Sequence, residues 1–388
     1  MKLAELSGRR QGLMPLEAYL SPEWFEWELD EIFGKHWQFA GLVEDASEPG
    51  DTITAMAGRH PLVVVRGEDH RLRCFHNICR HRGTQLLRSA GKAQKVITCP
   101  YHDWTYSMNG ELIDVPERAC EFPDLDRSQL GLHPASVETW RGMIFVHPQP
   151  DPPPFKSWLA GIEEHLGPHR PEELVEYEEG RSQHRIAANW KIVVENYIDG
   201  YHLAHLHSET LSMYDHAKLE FGFAGQHFWF REPLAPDYLA KVEEASPLPL
   251  IDHVPRAEIA AWVPMLFPNI GLSETESSWS TFHVVPVSVG ETLVEVRTKV
   301  MPASSWEYLK QGWSSWASFP WKGGGRHGDD PDDPMASGDF MAEDVFACEQ
   351  QYKAMRAPRF AVGATAQRLE QSILGYQERI LGALGHSP

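Results

Sequence analysis

Two cysteine–histidine pairs, Cys79-Arg80-His81 and Cys99-Pro100-Tyr101-His102, constrain this chain more tightly than any other feature. Seventeen residues separate His81 from Cys99. Each pair sets one thiolate and one imidazole at the tip of an expected hairpin, and two such tips can clasp a compact metal cluster between them. The surrounding sequence has the right texture. From about 38 to 155, short apolar runs (52–57, 61–66, 71–76, 95–99 and 143–147) are divided by Gly, Pro and Asp, which predicts a small antiparallel β domain.

A chain of 388 residues exceeds one ordinary core, so more than one domain is expected. Residues 1–37 read as an amphipathic N-terminal helix that packs on the larger region 156–388, with Ser21-Pro22 as its start. The Pro-rich stretch 149–155 divides the β domain (38–155) from a larger region (156–388). There, strand-like runs near 227–232, 262–272, 279–287 and 292–301 alternate with helical ones, predicting an α+β domain with an antiparallel sheet covered by helices. Residues 323–334 lack apolar side chains and read as a mobile loop, and the end of the chain reads as two helices broken near Arg356.

Composition excludes several classes. No apolar run reaches the ~20 residues of a membrane span, and the N-terminus lacks a signal-peptide pattern, so a cytoplasmic location is expected. Five cysteines, an odd number, do not form a disulfide framework; Cys74, Cys120 and Cys348 lack partners at ligand spacing and are expected as buried apolar side chains. A net charge of −20 opposes nucleic-acid binding. Yet nine Arg or Lys face two acids between Arg59 and Lys95, a basic island in an acidic protein.

The Cys2His2 donor set matches a Rieske [2Fe-2S] centre, in which thiolates hold one iron and imidazoles the other; a structural zinc site is the competing reading. A second constellation runs from Asn196 to His207. Asp199, His202, His205 and His207 follow the helical run 190–195, so two imidazoles can converge as that helix unwinds. Two neutral nitrogen ligands and one carboxylate form the facial set that holds Fe(II) with positions open for O2 and substrate.

With both motifs in hand, the chain resembles the catalytic α subunit of Rieske non-haem iron oxygenases, the terminal component of ring-hydroxylating dioxygenases and related monooxygenases and demethylases. The resemblance spans nearly the whole length. It implies a small all-β Rieske domain and a larger α+β catalytic domain of helix-grip, START-like type. It implies Cys79, His81, Cys99 and His102 as cluster ligands, with Trp104 in the wall around them. It also implies His202 and His207 as iron ligands on the family spacing, His205 being the rival, and a distant carboxylate at Asp344, with Glu343 and Asp339 as rivals. Asp199 would carry electrons from His102 of a neighbouring subunit to His202, which requires a ring of chains, in the family a homotrimer. Asn196, one turn earlier, is expected beside the iron.

The implied activity is O2-dependent hydroxylation with electrons from a separate reductase, with or without a ferredoxin, and ultimately from NAD(P)H. No dinucleotide fingerprint accompanies the metal motifs, and Gly323-Gly324-Gly325 lacks the strand and helix context of one. The basic island is expected to dock the acidic donor, unless it pairs with acids of its own chain. Segments 200–232 and 262–285, rich in Phe, Trp, Leu and Met, are expected to line a pocket for an aromatic or apolar substrate, as in aromatic catabolism. Aromatic walls equally suit a quaternary ammonium group, and the chain's shortness favours an α-only monooxygenase or demethylase. A non-catalytic Rieske electron carrier is the alternative from a different class. Iron analysis separates the two: about three irons per chain are expected for the oxygenase, counting a two-iron cluster and one mononuclear site, and about two for a carrier.

Overall fold

The computed structural model describes residues 12–318 and 333–385, and the chain divides into two compact units. One comprises Trp27–Trp158; the other joins the segment up to Glu26 to the residues from Leu159 onward. Most of the loop expected at 323–334 lies outside the described residues.

The smaller unit is built on antiparallel strands. Strands β1 (Gln38–Leu42), β2 (Thr52–Ala57), β3 (His60–Arg66), β4 (Leu72–His76), β8 (Pro134–Trp140) and β9 (Met143–His147) form one sheet in the order β1-β9-β8-β4-β3-β2. A second sheet holds β5 (Val96–Thr98), β6 (Thr105–Ser107) and β7 (Leu112–Asp114). Strand β3 reads as an unbroken apolar run because both of its faces are covered. Leu62 and Val64 join Ile53, Ile144 and Val146 in one core, while Val63 and Val65 join Ile97, Trp104 and Tyr106 in the other. Cys79 and Cys99 belong to that second core.

The N-terminal segment is not one helix. Turns at Glu17–Leu20 and Pro22–Glu28 give way to a wider π turn at Leu29–Phe33. The division between units therefore falls within the segment, at Glu26/Trp27, instead of after residue 37. Trp37 explains why its end goes with the β unit: its ring packs edge-on against His147 and Phe155, and its Nε1 donates to the Pro153 carbonyl at 3.2 Å. Tyr19 explains why its beginning goes with the other: its hydroxyl donates to the buried Glu195 at 2.6 Å.

In the larger unit, β10 (Val175–Glu176), β12 (Glu220–Ala224), β13 (His227–Pro233), β14 (Ala260–Trp262), β16 (Ile270–Glu274), β17 (Ser278–Ser288) and β18 (Glu291–Val300) run β10-β18-β17-β16-β14-β13-β12. Strand β11 (Ser182–Ile186) pairs with β18, and β15 (Met265–Leu266) bridges β13 and β16. Helix α1 (Trp190–Ile198) covers β17 and β18, and helices α2 (Leu203–Leu206), α3 (Ser305–Ser318), α4 (Phe340–Met355) and α5 (Gln371–Ala383) follow. Asn189 caps α1, its side chain accepting the Lys191 N–H at 3.1 Å. Tyr197 pins α1 to the sheet: its hydroxyl donates to the Leu272 carbonyl at 2.6 Å, and its ring lies so close to Gly271 that a Cβ there would sit 2.6 Å from Cζ. No helix among the described residues is long and apolar enough to cross a membrane.

Glu195, inside α1, accepts hydrogen bonds from Tyr19 and from Gln377 of α5 (2.9 Å). Burial raises its pKa from 4.5 to about 7, against the lowering effect of Tyr19, Gln377 and Lys191. The folded protein thus retains a proton that the unfolded chain releases near 4.5, so stability is present below that value and is lost as pH rises through 7. Glu195→Gln removes this ionisation. Urea denaturation is expected to show the variant gaining on the parent by on the order of 2–3 kcal/mol between pH 5 and pH 8; parallel pH profiles would refute this.

Candidate metal centres

The two cysteine–histidine loops turn out to be the same backbone turn made twice. The Cys79 N–H donates to the Thr84 carbonyl at 2.8 Å and the Gly83 N–H returns to the Cys79 carbonyl at 3.0 Å. Likewise the Cys99 N–H donates to the Trp104 carbonyl at 2.9 Å and the Asp103 N–H returns to the Cys99 carbonyl at 3.1 Å. Gly83 (φ +76°) and Asp103 (φ +56°) occupy the equivalent left-handed position in each. The repeat was hidden because the histidine sits two residues after the first cysteine and three after the second.

The loops pair imidazole with imidazole and thiol with thiol. His81 and His102 turn Nδ1 toward each other at 3.2 Å. Cys79 and Cys99 are buried in the core, and burial, with Cys79 nearby, pushes the Cys99 thiol up. Trp104 stacks on the His81 ring at 4.8 Å with the planes 12° apart, so it forms part of the wall. One imidazole side and one thiol side are what a two-iron cluster of unlike ligation demands. Tyr106 adds a group that sequence reasoning missed. Its hydroxyl lies 3.4 Å from Cys79 Sγ and accepts the Arg80 N–H at 2.9 Å, which leaves its own proton for the sulfur. Of the remaining cysteines, Cys74 and Cys348 are buried as expected, but Cys120 is exposed, on a single helical turn flanked by Glu117 and Glu121.

In the larger unit, α1 stops at Ile198, earlier than its sequence suggests. Asp199 is extended, and the Gly200 N–H is taken by the Leu369 carbonyl at 3.2 Å, so the chain breaks helix before His202 and starts the short α2 from it. His207 closes α2 and is 1% exposed on its side chain. His202, His207 and Asp344 each offer a ligand atom, all within 4.8 Å of one another. Asp344 Oδ1 is the focus: it lies 3.0 Å from His207 Nε2, 3.6 Å from His202 Nε2 and 3.2 Å from Asn196 Nδ2, which donates to it. Donor atoms 3.0 and 3.6 Å apart have the spacing of ligands that share one cation. The donor set thus fits a facial iron site. His205 is exposed and does not join it, while Asp339 is instead the N-cap of α4, accepting the Met341 N–H at 2.9 Å.

Carboxylates stand behind both imidazoles. Asp199 Oδ1 accepts the Tyr201 N–H at 2.7 Å, and its Oδ2 lies 3.1 Å from His202 Nδ1. Glu343 Oε2 lies 2.7 Å from His207 Nδ1. Burial disfavours a charged His207 ring, yet Asp344 and Glu343 together outweigh burial and raise its pKa. The same field attracts a metal cation.

A β unit with paired cysteine–histidine loops and an α+β unit where two histidines and one carboxylate converge have the donor sets that a two-centre iron protein requires. Residues 36–140 match the Rieske [2Fe-2S] domain and residues 171–385 match the ring hydroxylating alpha subunit catalytic domain. The chain belongs to the family of Rieske oxygenase α subunits. A Rieske cluster and a non-haem iron are the cofactors of these domains. The chain is 35% identical over 212 residues to the glycine betaine monooxygenase oxygenase subunit of Chromohalobacter salexigens, covering 54% of this chain and 46% of that protein. It is 34% identical over 203 residues to the biphenyl 2,3-dioxygenase subunit alpha of Rhodococcus jostii, covering 52% and 44%. The matches thus span about half the length of these curated relatives. A solved quaternary ammonium Rieske monooxygenase, described with carnitine oxidation and inter-subunit electron transfer, shares the fold at TM-score 0.76 and 20% identity, over 100% of this chain and 98% of that one.

Hydrogen bonds to cluster sulfurs raise reduction potential by stabilising the added negative charge. Tyr106→Phe is therefore expected to lower the cluster potential by roughly 40–60 mV, about 1–1.4 kcal/mol for a one-electron couple. Protein-film voltammetry checks this; an unchanged potential would remove Tyr106 from the cluster's tuning groups.

Proposed function

We propose that the chain is the terminal oxygenase component of a multicomponent Rieske system that hydroxylates a small organic molecule. The observation that carries this reading is the convergence of His202, His207 and Asp344 in a chain that also holds the four Rieske donors. A pure electron carrier has no use for the second set. When bound, the iron centres supply electron transfer and O2 activation. The chain's own contribution is positional. Cys79, Cys99, His81 and His102 would hold the cluster, and His202, His207 and Asp344 would hold the iron that activates O2. Asn196 restrains Asp344 through its amide, and Asp199 holds the His202 ring by its Nδ1 proton.

In the assembled protein, Asp199 faces His102 of the next chain, in a homotrimer, and relays charge between centres. The partial exposure of Asp199 supports this, because one side of its carboxylate remains reachable. A separate reductase, with or without a ferredoxin, supplies electrons. Part of the basic island is neutralised at home, through Arg59–Asp30, Arg73–Asp69 and Lys92–Asp51. Arg82, Arg88 and Lys95 are exposed and form no ion pair among the described residues, which supports an acidic donor docking beside the cluster. The cytoplasm is where such donors operate.

Two substrate classes remain in view, and the relatives contain both. An aromatic or apolar molecule is favoured by the likeness to a biphenyl dioxygenase subunit and by the apolar strands beneath α1, where Phe282 meets Tyr197 at 5.7 Å. N-demethylation or hydroxylation of a quaternary ammonium compound is favoured by the likeness to a glycine betaine monooxygenase subunit. The deciding experiment couples purified protein to a surrogate reductase and follows O2 uptake together with product. Betaine and carnitine represent one class, and biphenyl and an aromatic acid the other. Coupled turnover is expected for one class, with His207→Ala reducing it at least 100-fold. Uncoupled O2 uptake with every compound would sink both substrate classes.

A further inference from the structure

We propose that Glu343 is a positioning residue of the mononuclear centre: it claims the Nδ1 proton of His207, so that Nε2 is the nitrogen offered to the metal, and Thr210 holds Glu343 in place. The inference rests on the reading of His202, His207 and Asp344 as iron ligands. By sequence Glu343 competes with Asp344 for the ligand role; the structure gives the two acids different tasks.

Neighbouring residues on a helix point about 100° apart, so Glu343 and Asp344 in the first turns of α4 cannot face the same atom. Asp344 Oδ1 lies 3.0 Å from His207 Nε2, while Glu343 Oε2 lies 2.7 Å from Nδ1 on the far side of the same ring. A neutral imidazole carries one proton, and an ionised carboxylate only accepts. Both acids accept, but only Asp344 is offered to the cation as well; with Nε2 turned to the metal the ring's one proton lies on Nδ1, where Glu343 accepts it at 2.7 Å. The Thr210 hydroxyl donates to the same Oε2 at 2.9 Å, and Glu343, His207 and Thr210 are all buried, so water does not compete. Every ion pair of Glu343 and Asp344 among the described residues is with the two histidines. Two adjacent carboxylates compensated only by imidazoles leave a net negative field, which a divalent cation neutralises.

The two iron histidines are thus held by different means. His202 leans on Asp199, whose other oxygen accepts a backbone N–H and whose side chain stays partly open. His207 leans on a carboxylate sealed inside its own chain. Asp199 is free to serve a neighbour; Glu343 serves the metal.

The test is anaerobic Fe(II) titration, against a chromophoric chelator, of cluster-loaded protein freed of its mononuclear iron. Glu343→Ala is expected to weaken Fe(II) binding about 10–100-fold. Glu343→Gln, which still offers an acceptor to Nδ1–H, should lose less, and Thr210→Val should shift affinity in the same direction by a smaller factor. The cluster absorbance per chain should stay at the parent value in all three. Parent affinity in Glu343→Ala, alongside loss of binding in His207→Ala, overturns the role of Glu343 and leaves the metal centre standing. Parent affinity in His207→Ala overturns the metal centre itself and this inference with it. If Glu343→Ala does not fold, parent affinity in both Glu343→Gln and Thr210→Val overturns the proposal.

Discussion

An acceptor at one ring nitrogen of a neutral imidazole fixes which nitrogen is left to bind a metal and how the ring is turned, and the larger unit places such an acceptor behind two histidines. His202 and His207 present Nε2 to Asp344 because Asp199 and Glu343 occupy their Nδ1 atoms. Three separate stretches of chain must meet for this: the end of α1, the short α2, and the first turns of α4. The sheet beneath α1 makes the meeting possible. Tyr197 fastens that helix over Gly271, and Glu195 fastens it to Tyr19 and Gln377. A helix left free to rotate would carry Asn196 and the turn after it away from Asp344.

The smaller unit solves the corresponding problem with backbone alone. Its two loops are closed by the same pair of hydrogen bonds and the same left-handed residue, so both cysteines enter the core from equivalent positions. The different cysteine–histidine spacings then bring both Nδ1 atoms to one point. Apolar side chains on one face of β3 and from β5 and β6 surround the thiols and keep water from them. Tyr106 and Trp104, both from that core, add a donor to one sulfur and a flat wall to one imidazole.

Charge is spread unevenly over the chain. The chain is acidic as a whole, yet Arg82, Arg88 and Lys95 stand exposed near the cluster loops in sequence, while Glu343 and Asp344 both stand beside His207. Adjacent carboxylates set up a negative field that favours a cation.

Much of this was legible in the sequence because metal ligation leaves residue types at fixed spacings. Cys79, His81, Cys99 and His102 announced one centre, and Asp199, His202 and His207 the other; alternating apolar runs announced the sheets. The sequence also named the rivals, His205 beside His207 and Glu343 beside Asp344. Spacing alone could not separate them, since it fixes how far apart residues lie along the chain and not which way they face. Tertiary structure separates them: α1 ends at Ile198, His207 lies buried and His205 exposed, and the 100° step along α4 sets Asp344 beside Nε2 of His207 and Glu343 beside Nδ1. The likeness of the two cluster loops was hidden for the same reason, because it resides in backbone hydrogen bonds that residue types do not spell out.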